Sequence, residues 1–214
     1  MNPSVPNTNT AVVRWAARYD LLVWLLTLGR ERRFREKLLA PARLRPGESV
    51  LDVGCGTGSL AIAAKRQVGD AGSVQGIDAS PEMIARARHK AKKAGLDIDF
   101  AEASAESLPF PDATFDVVLS TVMLHHLRKS ARAVAVAEMR RALKPGGRLL
   151  VVDFAGARNG KGPLMHFHRH GHVDPQVLME LVSGAGLHIA ETGSLGMWSL
   201  SYVLGTTAIR PGAL

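Results

Sequence analysis

Residues 50–61 read VLDVGCGTGSLA, which is the pattern of a short apolar strand, a glycine-rich turn and the start of a helix. Glycines at Gly54, Gly56 and Gly58 let the backbone adopt conformations closed to other residues and let a ligand approach the main chain closely. Thr57 is expected to cap the helix that follows. The free N–H groups of that helix's first turn favour an anionic group. The stretch therefore predicts a small-molecule cofactor site.

Strand-like and helix-like segments alternate from Val50 to Phe154. Further strands are predicted over 73–77, 98–101, 115–120 and 148–154, and helices over 59–67, 81–94, 131–143 and 175–184. Ser80 and Pro81 are expected to begin the second of these helices. Two final strands, 187–194 and 198–206, predict a hairpin. The expected fold class is α/β, a doubly wound, mostly parallel seven-stranded sheet with helices on both faces and a C-terminal antiparallel hairpin strand.

The length of 214 residues predicts one domain overall. We expect a disordered tail over residues 1–10, a helical cap or lid over 11–45, and the main domain over 46–214. The first ten residues are polar and lack a basic segment, so no secretory signal is expected. The most apolar run, 21–28, is far shorter than the roughly 20 residues of a spanning helix, so no transmembrane segment is expected.

Charge and cysteine content narrow the class of protein further. The net charge is +8, and arginines cluster within residues 14–45. Four of them, Arg30, Arg32, Arg33 and Arg35, directly follow a helical pattern of apolar residues that includes Trp15 and Tyr19. This segment is interpreted as a packed helix with a solvated basic end, or as an anchor on a membrane surface. Cys55 is the only cysteine; it excludes a disulfide framework and fits a reducing, cytoplasmic compartment.

The glycine spacing and two aspartates bear on which cofactor is bound. A dinucleotide fingerprint requires glycine at its sixth position, where this chain has Ser59. Asp78 closes the second strand and is placed to accept hydrogen bonds from ribose hydroxyls. This feature alone would also suit a nicotinamide cofactor. Asp52 lies just before the glycines, where a negative charge favours a cationic ligand over a pyrophosphate. The polar loop 103–106 offers groups to an adenine edge.

Five segments taken in order resemble the class I S-adenosylmethionine-dependent methyltransferases, and within them the ubiquinone/menaquinone C-methyltransferase-like group. They are VLDVGCGTGSLA, GIDAS, AEASAESLPFPDATFDVVLS, LHHL and EMRRALKPGGRLLVVDF. The resemblance implies a Rossmann-like methyltransferase domain with S-adenosylmethionine as cofactor. It implies that Gly54, Gly56 and Gly58 line the methionine part, with Asp52 near the ammonium and Asp78 at the ribose. The other cofactor-binding residues that it implies are Tyr19, Cys55, Ala79, Met83, Ser104, Ala105, Glu106, Ser120 and Thr121.

The sulfonium of such a cofactor is already a strong electrophile, so the protein mainly aligns the acceptor and excludes water. Where the acceptor carries an acidic proton, a general base assists the transfer. His125 and His126, just past the fourth strand, are the candidate catalytic residues. The alternative is that this pair orients the loop or contacts the cofactor.

The acceptor side is predicted from three segments. The apolar, aromatic N-terminal segment with Trp15 and Tyr19, together with the segment 198–202, suggests an apolar or amphiphilic acceptor, such as a quinone-like, phenolic or lipid molecule. His166, His168 and His170 alternate in a loop between the fifth strand and the next helix. This loop is interpreted as part of the substrate pocket or as a lid; a solvated loop and a metal site are the alternatives, and no metal is predicted.

The functions that compete with a small-molecule methyltransferase are a nucleic-acid methyltransferase, a NAD-binding oxidoreductase and a non-catalytic binding module. The segment after the fourth strand is Ser-Thr-Val-Met, unlike the Asn/Asp-Pro-Pro-aromatic type of amino-methylating enzymes that flip a base. Aromatic residues make up only 5% of the chain, which disfavours stacking on nucleic acid. No nucleic-acid partner is expected, and peripheral contact with a membrane remains an alternative. The protein is expected to be a monomer or a homodimer.

Overall fold

The computed structural model describes residues 31–155, 172–196 and 199–208. Within these ranges the helices are α1 (Glu31–Leu39), α2 (Ser59–Val68), α3 (Pro81–Lys93), α4 (Lys129–Ala142) and α5 (Pro175–Gly184). Short 3₁₀ turns occur at Ala40–Ala42 and Leu124–His126. The strands are β1 (Ser49–Val53), β2 (Ser73–Asp78), β3 (Asp99–Glu102), β4 (Phe115–Thr121), β5 (Leu143–Phe154), β6 (His188–Ser194) and β7 (Leu200–Thr206).

The seven strands form one sheet in the order β3-β2-β1-β4-β5-β7-β6. The first five pair in parallel, and β7 runs antiparallel to both β5 and β6. The predicted fold class is therefore confirmed. The chain changes direction of winding between β1 and β4, and the crevice beyond the carboxyl ends of strands at such a point is where open α/β sheets bind ligands.

Two apolar layers cover the sheet, one on each face. One layer includes Phe34 and Leu38 of α1 and the buried sides of α2 and α3. The other includes the buried sides of α4 and α5. Along β1, Val50 belongs to the first layer and Leu51 to the second, which is the alternation expected of a strand buried on both faces. Asp52 follows this alternation onto the α1–α2 side.

The segment 144–147, predicted to separate a helix from the fifth strand, lies within β5. Leu143 pairs with Phe115, and the register then shifts so that Arg148 pairs with Val117. The Thr207 side chain donates to the Lys144 carbonyl at 2.7 Å, and its backbone N–H donates to the Gly147 carbonyl at 2.9 Å. Contacts with Thr207, which directly follows β7 and is distant in sequence, therefore accompany the earlier start of β5.

Among the described residues, no helix combines the length and the apolar character that crossing a bilayer requires.

Candidate functional site

The glycine-rich turn lies at the carboxyl end of β1, as predicted. The backbone N–H groups of Gly54 and Cys55 both donate to the Ile77 carbonyl, each at 2.8 Å, so the turn is tied to β2. Gly54 has a φ of +74°, and a Cβ built there would lie 2.3 Å from Cγ of Met123. Only glycine therefore permits both the backbone conformation at this position and the close approach of the segment that follows β4.

The helix cap at the end of the turn differs from the predicted one, Thr57. The residue that caps α2 is Gly58, which adopts a left-handed conformation and makes no side-chain capping bond. Thr57 is buried instead, and its hydroxyl accepts a hydrogen bond from Nζ of Lys90 at 3.2 Å. Gly58 does not line the cavity that lies beyond the carboxyl ends of β1 and β2. A Cβ built at Gly58 would lie 2.8 Å from Cβ of Ala87 and 2.9 Å from Cζ of Phe100. Its glycine is required by packing.

Gly58→Ala is expected to lower the free energy of unfolding by about 3 kcal/mol, because it combines a left-handed backbone with two short contacts to Ala87 and Phe100. The matched control is Gly95→Ala, since Gly95 has a φ of +66° and no atom within 4 Å of an added Cβ. The control should cost only about 1 kcal/mol. Urea denaturation of both variants measures the difference, and equal losses would contradict the packing role of Gly58.

Asp78 connects the turn to the end of β2. Its Oδ2 accepts from the Gly56 backbone N–H and its Oδ1 from the Ser80 backbone N–H, both at 2.9 Å. Burial raises the pKa of this carboxyl, and the backbone donors oppose that rise. Ser80 caps α3 as predicted, its Oγ accepting from the Met83 N–H at 3.3 Å. Asp78 lines the cavity and keeps acceptor capacity for further donors such as ribose hydroxyls.

Asp52 is 1% exposed, and neither of its carboxylate oxygens has a hydrogen-bond partner among the residues that the structure describes. Burial raises the pKa of Asp52 to about 7, an effect that the positive charge of Arg35 opposes. Asp52 does not itself line the cavity, whereas Arg35 does. When it is ionised, this buried carboxylate is a site of negative potential that fits a cationic group.

The two histidines after β4 have different surroundings. His126 lines the cavity, whereas His125 does not and is 9% exposed. Nδ1 of His125 lies 2.7 Å from Oδ1 of Asp153, which is fully buried, and the His125 backbone N–H donates to Oδ2 at 3.1 Å. The Phe154 N–H also donates to Oδ1, at 2.8 Å. The centres of the two imidazole rings lie 3.9 Å apart. Asp153 therefore holds the turn that presents His126.

The loop that follows β3 is held by Arg141 of α4. Its guanidinium donates to the Leu108 and Phe110 carbonyls at 3.1 and 2.7 Å. Glu138 accepts from the Leu108 N–H at 2.9 Å. These bonds fix the loop on which the cavity-lining residues 103–106 lie.

The cavity has a volume of about 200 Å³. Most of the predicted site residues that the structure describes line it: Gly54, Cys55, Gly56, Asp78, Ala79, Met83, Ser104, Ala105, Glu106, Thr121 and His126. Asp52, Gly58, Ser120 and His125 do not line it. Trp15, Tyr19, His166, His168 and His170 lie outside the described residues.

Ser120, for which the sequence predicts a cofactor contact, is 1% exposed. It pairs with Val53 across β1 and β4, and strand alternation places its side chain on the α4–α5 side, opposite Asp52. Its Oγ has no hydrogen-bond partner within the described part of the chain. Thr121, the next residue and also a predicted cofactor contact, lines the cavity.

Cys55 lines the cavity but is 8% exposed. Burial strongly raises the pKa of the Cys55 thiol, and the carboxyls of Asp52 and Asp78 raise it further. Because the thiolate and not the thiol is the nucleophile, a packing role fits this residue.

The comparisons with known proteins agree on one kind of domain. A family model described as "Methyltransferase domain" matches residues 50–147. The ubiquinone/menaquinone biosynthesis C-methyltransferase UbiE of Bordetella avium is 41% identical over 140 residues, which are 65% of this chain and 54% of that protein. The demethylmenaquinone methyltransferase of Thermus thermophilus is 39% identical over 151 residues, 71% of this chain and 67% of that protein. The chain spans about half the length of the UbiE protein.

The solved structure of a SAM-dependent methyltransferase from Aquifex aeolicus superposes with a TM-score of 0.74. It covers 90% of this chain and 98% of that one, at 24% identity. This likeness shows the fold.

Proposed function

This chain belongs to the class I S-adenosylmethionine-dependent methyltransferase family, and from that premise we propose that it transfers a methyl group from S-adenosylmethionine to a small acceptor. The observation that carries the proposal is one cavity lined by the glycine turn after β1, by Asp78 after β2 and by residues 103–106 after β3. These are the segments whose sequence resembles the family, and the fold brings them together.

The residues at the cavity fit the cofactor. Gly54 and Gly56 present bare backbone to the cavity, and Asp78 offers carboxylate oxygens to a ribose. Asp52 supplies a buried negative charge beside the turn, which complements an ammonium group. When bound, the cofactor supplies a methyl group that is already electrophilic. The protein's task is to orient the acceptor against that group and to exclude water.

Binding of S-adenosylhomocysteine is expected to weaken as the pH falls through about 7. Burial raises the pKa of Asp52 to about 7, so its ionised fraction falls about eightfold between pH 7.5 and 6.0. If the ionised form attracts the ligand's ammonium, the Kd rises by about the same factor. Isothermal titration calorimetry across this range measures it. Asp52→Asn should remove most of this pH dependence of the Kd. An unchanged pH profile in that variant would assign the pH dependence to another group, such as Asp78.

We assign the role of general base to His126, because it lines the cavity whereas His125 is held by Asp153. For His126→Ala, we expect turnover to fall by more than about tenfold with the affinity for S-adenosylhomocysteine unchanged. Steady-state kinetics and calorimetry separate the two quantities. Equal losses of turnover and affinity would show that His126 has a structural or cofactor-binding role instead.

The acceptor that we propose is small and apolar or amphiphilic, of a quinone-like, phenolic or lipid type. The names of the relatives from Bordetella avium and Thermus thermophilus support a quinone precursor. Apolar side chains that line the cavity also support it: Leu60, Val122, Met123 and Leu127. We further propose that residues 11–45, with Trp15 and Tyr19, cap the acceptor side, and that His166, His168 and His170 contribute to it.

The test of the proposed function begins with thermal shift in the presence of S-adenosylhomocysteine or NAD. S-adenosylhomocysteine is expected to raise the Tm and NAD is not. A panel of quinone-like, phenolic and lipid acceptors is then incubated with S-adenosylmethionine, and release of S-adenosylhomocysteine is followed. Failure of S-adenosylhomocysteine to raise the Tm, or a shift with NAD alone, would contradict the proposal.

A further inference from the structure

Arg35 is a buried arginine at the cavity. It is 9% exposed, its Nε is shielded from solvent, and it lines the cavity from α1. Its neighbours on the same helix, Arg32 and Arg33, are exposed. Removing a guanidinium from water is costly unless anionic or hydrogen-bonding groups compensate it. A solvated basic helix end, as the sequence suggested for these arginines, therefore does not describe Arg35.

Arg35 lies on the face of α1 that packs on the domain. Phe34, Leu38 and Leu39 are 6%, 1% and 0% exposed, so this side of α1 packs on the core. Arg35 and Leu39 are four residues apart and share a helix face. Cζ of Arg35 also lies 5.2 Å from the centre of the Phe34 ring, a cation–π contact. The guanidinium is therefore positioned by packing.

The positive charge of Arg35 interacts with the carboxylate of Asp52. Arg35 lowers the pKa of Asp52, yet burial still leaves that pKa near 7. Beside the glycine turn, the buried guanidinium of Arg35 therefore lines the cavity, and the buried carboxyl of Asp52, which is ionised above about pH 7, lies next to it. A zwitterion, which carries one carboxylate and one ammonium, complements this pair of charges.

We propose that Arg35 binds the α-carboxylate at the amino-acid end of the cofactor. This inference rests on the proposed function and deepens it. A guanidinium presents two parallel N–H donors to a carboxylate, and such charge-assisted bonds are among the strongest in proteins. Arg35 then selects ligands with an intact amino-acid end over adenosine thioethers that lack the carboxylate.

The experiment compares two ligands by calorimetry: S-adenosylhomocysteine and its decarboxylated analogue, 5′-deoxy-5′-(3-aminopropylthio)adenosine. The analogue keeps the ammonium and loses only the carboxylate. The wild-type protein should bind S-adenosylhomocysteine at least about tenfold more tightly than the analogue. Arg35→Met should bind the two within about twofold of each other. Arg33→Met, which changes the same charge on the exposed side of α1, should keep the wild-type ratio.

The ratio of the two affinities within each variant corrects for general damage to the site. If Arg35→Met does not fold, Arg35→Gln gives the same comparison with a polar side chain that carries no charge. A wild-type ratio near one, or a variant ratio equal to that of the wild type, would overturn the role of Arg35 while leaving the proposed function intact. Absence of S-adenosylhomocysteine binding in the wild type would overturn both.

Discussion

Asp52→Asn is expected to weaken S-adenosylhomocysteine binding about tenfold and, at pH 8, to raise the free energy of unfolding of the ligand-free protein. The carboxylate is 1% exposed and has no hydrogen-bond partner among the described residues. Its ionised form is therefore disfavoured in the folded state, which is why burial raises its pKa from 3.8 to about 7. Asparagine removes that charge together with its attraction for a cationic ligand.

The stability gain should depend on pH in a defined way. At pH 8 the aspartate is ionised in both states, and the shift corresponds to a destabilisation on the order of 4 kcal/mol. As the pH falls from about 7 to about 4, the folded state takes up a proton before the unfolded state does, so the penalty shrinks. Well below pH 3.8 the carboxyl is protonated in both states, and the penalty is absent.

Urea denaturation of wild type and variant at pH 8 and pH 5 measures this difference, and calorimetry at pH 8 measures the ligand affinity. The matched control is Asp70→Asn, which removes the same charge from an exposed position. A stability gain of equal size at both pH values would contradict the role of the buried charge. A variant less stable than wild type at pH 8 would show that the carboxylate is compensated in the folded protein.

Much of the fold could be predicted because local patterns determine it. The apolar runs that became β1, β2 and β4 are bounded by glycine and polar residues, and the parallel order followed from their alternation with helices. Ser80 was recognisable as a cap because its hydroxyl acts within one turn of its own position. The cavity residues that follow β1, β2 and β3 were found because strand ends in such sheets share one edge.

What the sequence could not show depends on distant contacts. The packing role of Gly58 was not visible, because its neighbours Ala87 and Phe100 are some 30 and 40 positions away. Arg35 was indistinguishable from the exposed arginines beside it until the packing of α1 was known. Asp153 had one available signal, an acidic residue at the end of the fifth strand, but its partner His125 becomes its neighbour only through the pairing of β4 with β5.

Asp153→Asn is expected to have the second large effect, lowering the free energy of unfolding by about 3 kcal/mol. The Asp153 carboxylate is fully buried and accepts from two backbone N–H groups while contacting Nδ1 of His125 at 2.7 Å. An asparagine amide has one oxygen, so its NH₂ group must face at least one of these donors. A buried donor left without an acceptor costs about 1–3 kcal/mol, and more where a charge is involved.

Asp153→Asn should also lower turnover by at least about fivefold, with little change in the affinity for S-adenosylhomocysteine. The reason is that Asp153 holds the His125 ring, whose centre lies 3.9 Å from the centre of the His126 ring. Thermal denaturation, steady-state kinetics and calorimetry report the three quantities. The control is Asp174→Asn, since Asp174 caps α5 from an exposed position through a bond to the Gln176 N–H, and asparagine caps helices almost equally well. If Asp153→Asn lost stability but kept full turnover, Asp153 would stabilise the fold without positioning His126.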